Sequence, residues 1–249
     1  MRMQLRLLVL LLLFALAFTN IATGFAQDAT PEPQIVQMTS ADGSTTLEAD
    51  YWVLSADQTP ASGAPTVVFI HQYGDRRAGG LPLVEPLLAA GYNVLLVDRR
   101  ADKVDDIQTW LDWVRDQPGV RPNAISLLGP GVGGTLALIG CANDEQCVTA
   151  IALSPRLNGY GLPQTASTLV ESALSEGLTT RSVLLIASER DFNSQAKDMI
   201  PFAEGEIGLR LYAGSDHASF LYSSYSEYAD SVIQLIISWL NEHTPTVES

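Results

Sequence analysis

Three short segments of the chain carry residue types that could take part in catalysis. A glycine-rich turn occupies residues 129–134, an aspartate stands at position 191, and a histidine stands at position 217. We predict that each segment directly follows a buried strand, so that all three meet at the carboxyl edge of one parallel sheet. A histidine oriented by a carboxylate can act as a general base toward a hydroxyl group or a water molecule. Asp191 and His217 are therefore the candidate residues for acid–base chemistry at this edge.

The hydrophobic pattern predicts the elements that would position these residues. Short apolar runs alternate with amphipathic helices over residues 66–239, which is typical of a parallel sheet covered on both faces. Strands 35–39 and 47–54 flank an Asp-Gly turn and are predicted as antiparallel edge strands at the N-terminal side. The long connection 154–182 has room for one helix, over 166–174, but not for a cap domain. We therefore predict an α/β fold with a mostly parallel, doubly wound sheet and a minimal cap.

The remaining predicted elements come from the same periodicities. The predicted parallel strands are 66–70, 92–97, 124–128, 148–153, 183–187 and 209–212, and the other predicted helices are 81–90, 102–116, 135–140 and 228–239. In the predicted helix 102–116, we expect Asp102, Asp105 and Asp106 to form a solvated first turn, favoured by the helix dipole.

The glycine-rich turn, Asp191 and His217 follow one another in the chain order of nucleophile, acid and histidine that is typical of α/β-hydrolases. The sequence His71-Gln72-Tyr73-Gly74, after the strand 66–70, looks like the His-Gly-x-x-Gly oxyanion loop of that superfamily. From about residue 39 to residue 240 the chain resembles α/β-hydrolases of the dienelactone hydrolase and small serine-esterase type. The resemblance implies the α/β-hydrolase fold and descent from enzymes that cleave carboxylic esters.

The resemblance also implies roles for individual residues. Asp191 matches the acid of the catalytic triad, and His217 matches its base. The backbone N–H groups of Tyr73 and Val132 match the donors that face an oxyanion. The aromatic residues that could line a pocket beside them are Tyr73, Phe192, Phe220 and Tyr222.

One position departs from the pattern of active enzymes. The elbow of such hydrolases is Gly-x-Ser-x-Gly, and here Gly131 holds the place of the serine. Glycine adopts the strained backbone of an elbow at the lowest cost, so the fold can be kept while the attacking oxygen is lost. In a serine hydrolase, loss of that oxygen lowers turnover by about a million-fold. We therefore predict a catalytically impaired hydrolase-like protein that binds a small-molecule ligand or a partner.

Two other functions remain open. The chain could be an active hydrolase of small esters that uses a displaced serine (Ser154, Ser188, Ser215 or Ser219) or a water molecule activated by His217 and Asp191. The glycines of 129–134 also fit Gly-x-Gly-x-x-Gly, a dinucleotide-binding fingerprint. Dinucleotide binding is disfavoured because the fingerprint needs an Asp or Glu at the end of the next strand to hold a ribose hydroxyl. That strand ends in Leu153-Ser154-Pro155, without an acidic residue. We expect no cofactor and no metal.

The N-terminal residues predict export. Arg2 and Arg6 precede an apolar run over residues 7–18, and Gly24-Phe25-Ala26 supplies a cleavage pattern, so residues 1–26 are predicted as a secretory signal peptide. The run is shorter than the roughly 20 residues that span a bilayer, which disfavours a permanent anchor. We expect a secreted or periplasmic protein, with a flexible leader over 27–34, one domain over 35–243 and a disordered tail over 244–249.

Composition limits the partners. The 249 residues carry 14 basic and 28 acidic side chains, for a net charge of −14, which argues against binding to nucleic acid or to anionic lipid. Three histidines and two cysteines are too few for a zinc cluster of the Cys/His type. In an oxidising compartment Cys141 and Cys147, which enclose a short polar turn, are predicted to form a structural disulfide. The sequence predicts no particular protein partner.

Overall fold

An eight-stranded sheet forms the centre of the computed structural model, which describes residues 31–244. The strands are β1 (Gln34–Thr39), β2 (Thr46–Trp52), β3 (Ala64–Ile70), β4 (Asn93–Val97), β5 (Val120–Pro130), β6 (Cys147–Leu153), β7 (Ser182–Ser188) and β8 (Ile207–Tyr212). The α-helices are α1 (Leu81–Ala89), α2 (Asp105–Arg115), α3 (Val132–Ala142), α4 (Ala166–Ser172), α5 (Ala196–Met199) and α6 (Ala229–His243). A π-helical turn, Ala173–Gly177, continues α4, and short 3-10 helices cover Arg77–Gly80, Ile200–Phe202 and Ala218–Tyr222.

The strand order is β1-β2-β4-β3-β5-β6-β7-β8. Strand β2 pairs antiparallel with both β1 and β4, and all other pairs are parallel. The predicted mostly parallel sheet with antiparallel N-terminal edge strands is therefore confirmed. The order changes direction between β3 and β5, and ligands of open α/β sheets bind outside the carboxyl ends of the strands at such a switch point.

Both faces of the sheet are buried under helices. Residues alternate along β3, so that Val68 and Ile70 join the core beneath α2, α3 and α4, while Val67 and Phe69 join the core beneath α1 and α6. Burial on both faces explains why the parallel strands read as continuous apolar runs in the sequence. The two cores pack against opposite faces of the sheet and leave its carboxyl edge to the loops.

The predicted elements are present with small changes at their ends. Helix α3 is longer than predicted because it begins directly after Gly131, and α5 and the 3-10 helices follow no periodic pattern strong enough to predict them. The predicted disulfide between Cys141 and Cys147 is confirmed; it joins the end of α3 to the start of β6. No helix within residues 31–244 is both long and apolar enough to cross a membrane.

Several predicted segments fall at the chain ends. The predicted signal peptide, residues 1–26, lies outside the described residues, as do residues 27–30 of the leader and 245–249 of the tail. Gln34, the last residue of the predicted leader, is the first residue of β1. Pro31 accepts a hydrogen bond at its carbonyl from the indole of Trp52, at 2.7 Å.

The expectation of a solvated start for α2 is wrong at one residue. Asp102 and Asp105 are exposed, but Asp106 is fully buried. Its carboxylate accepts two hydrogen bonds from Arg100, at 2.7 and 2.8 Å, and one from the backbone N–H of Ala41, at 3.0 Å. Ala41 is distant in the sequence and Arg100 lies on the loop before the helix, so helical periodicity alone does not reveal these partners of Asp106.

Arg100 extends this interaction to the edge of the sheet. Its other nitrogen donates to both carboxylate oxygens of Asp42, at 2.9 Å, in the turn between β1 and β2. The guanidinium holds the pKa of Asp42 well below its usual range. Arg100 thereby ties the antiparallel hairpin to helix α2.

We predict that Asp106→Asn lowers the free energy of unfolding by about 2 kcal/mol, because the amide places a donor against Arg100 and leaves polar groups of a buried side chain without hydrogen-bond partners. The neighbouring Asp105→Asn is the matched control, since Asp105 is exposed, and it should change stability much less. Urea unfolding followed by circular dichroism measures both variants. Equal effects of the two substitutions would show that the buried pair is not important for stability.

Candidate active site

Gly131 lies in the sharp turn between β5 and α3, which we call the elbow (residues 129–134). Its backbone torsion angles are φ 53° and ψ −122°, a combination that residues with a side chain rarely adopt. The N–H group of Gly131 donates to the carbonyl of Leu153 on the neighbouring strand, at 2.7 Å. The predicted strand, turn and helix are therefore present, with residue 131 at the apex.

Close packing accounts for the other glycines of the elbow. A Cβ atom on Gly133 would lie 1.8 Å from the carbonyl oxygen of Ile70, and one on Gly134 would lie 2.6 Å from that of Gly129. A Cβ atom on Gly129 would lie 2.4 Å from the backbone of Gly133. The Gly-x-Gly-x-x-Gly spacing thus has a packing explanation that needs no nucleotide.

Asp191 and His217 lie within hydrogen-bond distance of each other. Nδ1 of His217 is 2.8 Å from one carboxylate oxygen of Asp191 and 3.0 Å from the other. The Asp191 side chain is almost completely buried, whereas that of His217 is 31% exposed. Burial acts to raise the pKa of Asp191, but hydrogen bonds from His217 and Ser154 outweigh it, and the pKa lies below its usual range. We call these two residues the Asp–His pair.

Two strained residues hold the Asp–His pair in place. Ser154 follows β6 with φ 48°, and Ala218 follows the histidine with φ 53°. The N–H of Ala218 donates to the hydroxyl of Ser154, at 3.0 Å, and the N–H of Ser154 donates to the carbonyl of Ile186, at 2.7 Å. Positive φ at a residue other than glycine is uncommon, and such strain concentrates at functional sites. Ser154 therefore positions both members of the pair.

The loop after β3, residues 71–74, is the predicted oxyanion loop. His71 is buried, and its Nδ1–H donates to the carbonyl of Gln72, at 2.9 Å. Burial lowers the pKa of His71, so the ring is neutral near pH 7. The loop turns between Gln72 and Asp75, with Gly74 at φ 77°. Among the described residues, the N–H of Tyr73 has no acceptor.

Arg99 forms a hydrogen bond with the backbone of this loop. Its Nε donates to the carbonyl of His71, at 2.9 Å, and a second nitrogen reaches the carbonyl of Gly161, at 3.5 Å. Burial lowers the pKa of Arg99 to about 10, which leaves it charged at neutral pH. The N–H of Val132, in the first turn of α3, lacks an intrahelical partner by helix geometry. The N–H groups of Tyr73, on the oxyanion loop, and Val132, next to residue 131, are thus available as donors.

Gln72 is the residue of this region that the sequence analysis missed. Its Oε1 accepts a hydrogen bond from the N–H of Ser219, at 3.4 Å, so its side chain runs from the oxyanion loop to the loop that carries His217. The available signal was a departure from His-Gly-x-x-Gly, because Gln72 stands where that pattern has its first glycine.

The serines and aromatic residues of this edge differ in exposure. Ser154 and Ser188 are buried, and the hydroxyl of Ser188 donates to the carbonyl of Asp216 at 2.8 Å. No serine hydroxyl within residues 31–244 hydrogen bonds to His217. Three of the expected pocket residues, Tyr73, Phe192 and Phe220, are exposed. Tyr222 is the exception, because it is buried and donates to the carbonyl of Gly79.

Solved structures share this arrangement of strands and helices. A dienelactone hydrolase from Anabaena variabilis superimposes with a TM-score of 0.67 at 19% identity, over 86% of this chain and 100% of that one. A soluble variant of monoglyceride lipase from Saccharomyces cerevisiae gives 0.69 at 14% identity, over 88% and 97%. The chain has the α/β-hydrolase fold. The esterase Est2 from Thermogutta terrifontis, bound to butyrate, gives 0.66 at 19% identity, over 86% and 95%.

Sequence comparison adds relatives of this α/β-hydrolase-fold chain. YfhR of Escherichia coli O157:H7, described as uncharacterized, is 25% identical over 242 residues, which cover 85% of this chain and 84% of the relative. YfhR of Salmonella typhi is 26% identical over 150 residues, about half of each chain. No protein-family model matches the sequence.

The pKa of Asp191 makes the stability of the site depend on pH. Because its pKa in the folded protein lies below the value of about 4 for an unfolded chain, its contribution is present above pH 4 and is lost as the pH falls through the folded value. We predict that Asp191→Asn destabilises the protein at pH 7 and that the difference from the parent protein shrinks at pH 3.

Urea unfolding at several pH values tests this dependence. The control is Asp198→Asn, since Asp198 is exposed on α5 and its effect should stay small at every pH. A difference between Asp191→Asn and the parent that is the same at pH 7 and pH 3 would contradict the prediction.

Proposed function

We propose that this chain is an exported relative of carboxylester hydrolases that binds a small ester-like ligand, or a partner that presents one, without forming an acyl-enzyme. The observation that carries the proposal is the backbone of residue 131, which has the elbow conformation but no side chain. The Asp–His pair and the N–H groups of Tyr73 and Val132, which would form the other parts of a hydrolase site, support the proposal. Binding groups are therefore present where the nucleophile is absent.

The exposure of the surrounding side chains supports a ligand site. Tyr73, on the oxyanion loop, and Phe220, in the 3-10 helix Ala218–Tyr222, are more than half exposed. Tyr73 also stacks on Tyr160, with ring centroids 6.1 Å apart. Aromatic surface next to a few polar groups is typical of small-molecule sites. The segment between β6 and β7 contributes only α4 and its π turn, so access is not closed by a cap domain.

We predict that the protein does not react with a fluorophosphonate probe, because no serine hydroxyl in the described part of the chain is hydrogen bonded to the histidine that would activate it. Intact-mass spectrometry after incubation should show less than about one hundredth of the labelling of a serine esterase treated in parallel, since an unactivated hydroxyl lacks general-base assistance. Calorimetric titration with ethyl butyrate should show saturable binding, with the ester recovered unchanged. Stoichiometric labelling of any serine would refute the proposal. Absence of ethyl butyrate binding would contradict the proposed binding of a small ester.

A second candidate function is hydrolysis by an activated water molecule. Nδ1 of His217 is held by Asp191, and among the described residues no protein group hydrogen bonds to Nε2 of the same ring. An imidazole ring whose Nδ1 is held by a carboxylate can remove a proton from water through Nε2. This observation favours weak hydrolysis that needs no nucleophilic side chain.

If water is activated in this way, His217→Ala should lower the turnover of p-nitrophenyl acetate by at least about 100-fold, the usual contribution of a general base. His243→Ala is the control, because His243 lies at the end of α6 and packs on Trp239. The release of p-nitrophenol measures both rates. Parent protein that is no faster than buffer, or equally active His217→Ala protein, would exclude this candidate.

A further inference from the structure

The space above Gly131 is bordered by one particular side chain. A Cβ atom at position 131 would lie 3.3 Å from Cβ of Gln72 and 3.7 Å from its Oε1. The third neighbour is Cβ of Ala218, at 3.6 Å. Contacts of 3.6 Å and more are ordinary van der Waals contacts, but 3.3 Å between two Cβ atoms is tighter than most protein contacts. Gln72 is therefore the neighbour that a side chain at position 131 would crowd.

Gln72 cannot easily move away from this position. Its Cβ is fixed by the backbone of the oxyanion loop, which is itself held by Arg99 through the carbonyl of His71 and by the turn from Gln72 to Asp75. Its amide is attached at the other end to the N–H of Ser219. The side chain thus forms a bridge over the elbow, from the loop after β3 to the loop after β8.

We propose that Gln72 and Gly131 are a matched pair, in which the Gln72 side chain occupies space needed by a serine at position 131 and thereby determines what the pocket accepts. The proposal rests on the ligand-binding function above and identifies the residue that shapes that site. At the elbow, a ligand therefore contacts the amide group of Gln72 in place of a serine hydroxyl. Since Oε1 accepts from Ser219 and Nε2 has no acceptor among the described residues, Nε2 is available to an oxygen atom of the ligand.

The pairing has a consequence for restoring a nucleophile. Serine at position 131 alone must displace Gln72 or shift the elbow, and overpacking of this kind is destabilising. Removal of the Gln72 side chain opens the space for the serine and for the probe. The two substitutions should therefore depend on each other in both reactivity and stability.

The first test measures labelling by a fluorophosphonate probe at residue 131 with peptide mass spectrometry. We expect Gly131→Ser/Gln72→Gly to label at least about tenfold faster than Gly131→Ser, and Gly131→Ser/Gln72→Ala, which keeps the crowded Cβ, to label at an intermediate rate. Gly131→Ser/Gln146→Ala is the control, because Gln146 is exposed in the disulfide loop, and it should match Gly131→Ser. Faster or equal labelling of Gly131→Ser relative to the Gln72→Gly double variant would overturn the proposal.

The second test needs no reactivity and applies if none of the variants is labelled. Urea midpoints of the parent, Gly131→Ser, Gln72→Gly and the double variant form a double-mutant cycle, in which the backbone strain of serine at position 131 cancels. We expect the shift caused by Gly131→Ser to be smaller in the Gln72→Gly background by more than the error of the two midpoints, because directly contacting residues are energetically coupled. Additive shifts would overturn the proposal. Serine labelling of the parent protein would instead refute the proposed function and leave the result of this cycle unchanged.

Discussion

Helix α3 begins so close to strands β3 and β5 that Gly133 and Gly134, in its first turn, have no room for side chains. The Cβ position of Gly133 lies 1.8 Å from the carbonyl oxygen of Ile70, and that of Gly134 lies 3.1 Å from Ala152. This contact fixes where the helix starts and forces the chain to turn sharply at Gly131, whose N–H is held by Leu153. The same contact sets the distance between the elbow and the oxyanion loop, because Ile70 immediately precedes His71. The geometry of the site therefore derives from backbone packing in the centre of the sheet and not from the identity of residue 131.

The Asp–His pair is positioned by a different part of the fold. Asp191 follows β7 and His217 follows β8, and Ser154 joins both to the end of β6 through its hydroxyl. Ser154 and Ala218 adopt positive φ to make these contacts, at a cost of about 1 to 3 kcal/mol each. Because none of these hydrogen bonds involves residue 131, loss of a nucleophile leaves them intact. A complete Asp–His pair next to a glycine elbow is thus physically consistent, since the two are stabilised separately.

Sequence patterns predicted the parts of this structure that follow from local periodicity and from the order of strand ends. The mostly parallel sheet, the edge hairpin and the Cys141–Cys147 disulfide are of this kind, and the proximity of Asp191 and His217 follows from the convergence of strand ends in one sheet. The buried ion pair of Asp106 was missed because an acidic residue at a helix start has the same local pattern whether it is solvated or paired. The bridge formed by Gln72 was missed because the direction of a loop side chain depends on Ser219, which is distant in the chain.

The identity of residue 131 affects strain as well as chemistry. At φ 53° and ψ −122° a serine carries a conformational cost that glycine largely avoids, so a serine at an elbow is retained for its reactivity and at the expense of stability. Glycine relieves that strain and also leaves a gap, and an unfilled gap in a packed region loses dispersion contacts. The Gln72 side chain, held at both ends, supplies contacts above Gly131. The low backbone strain of glycine at position 131 and the filling of space by the Gln72 side chain both stabilise the turn between β5 and α3.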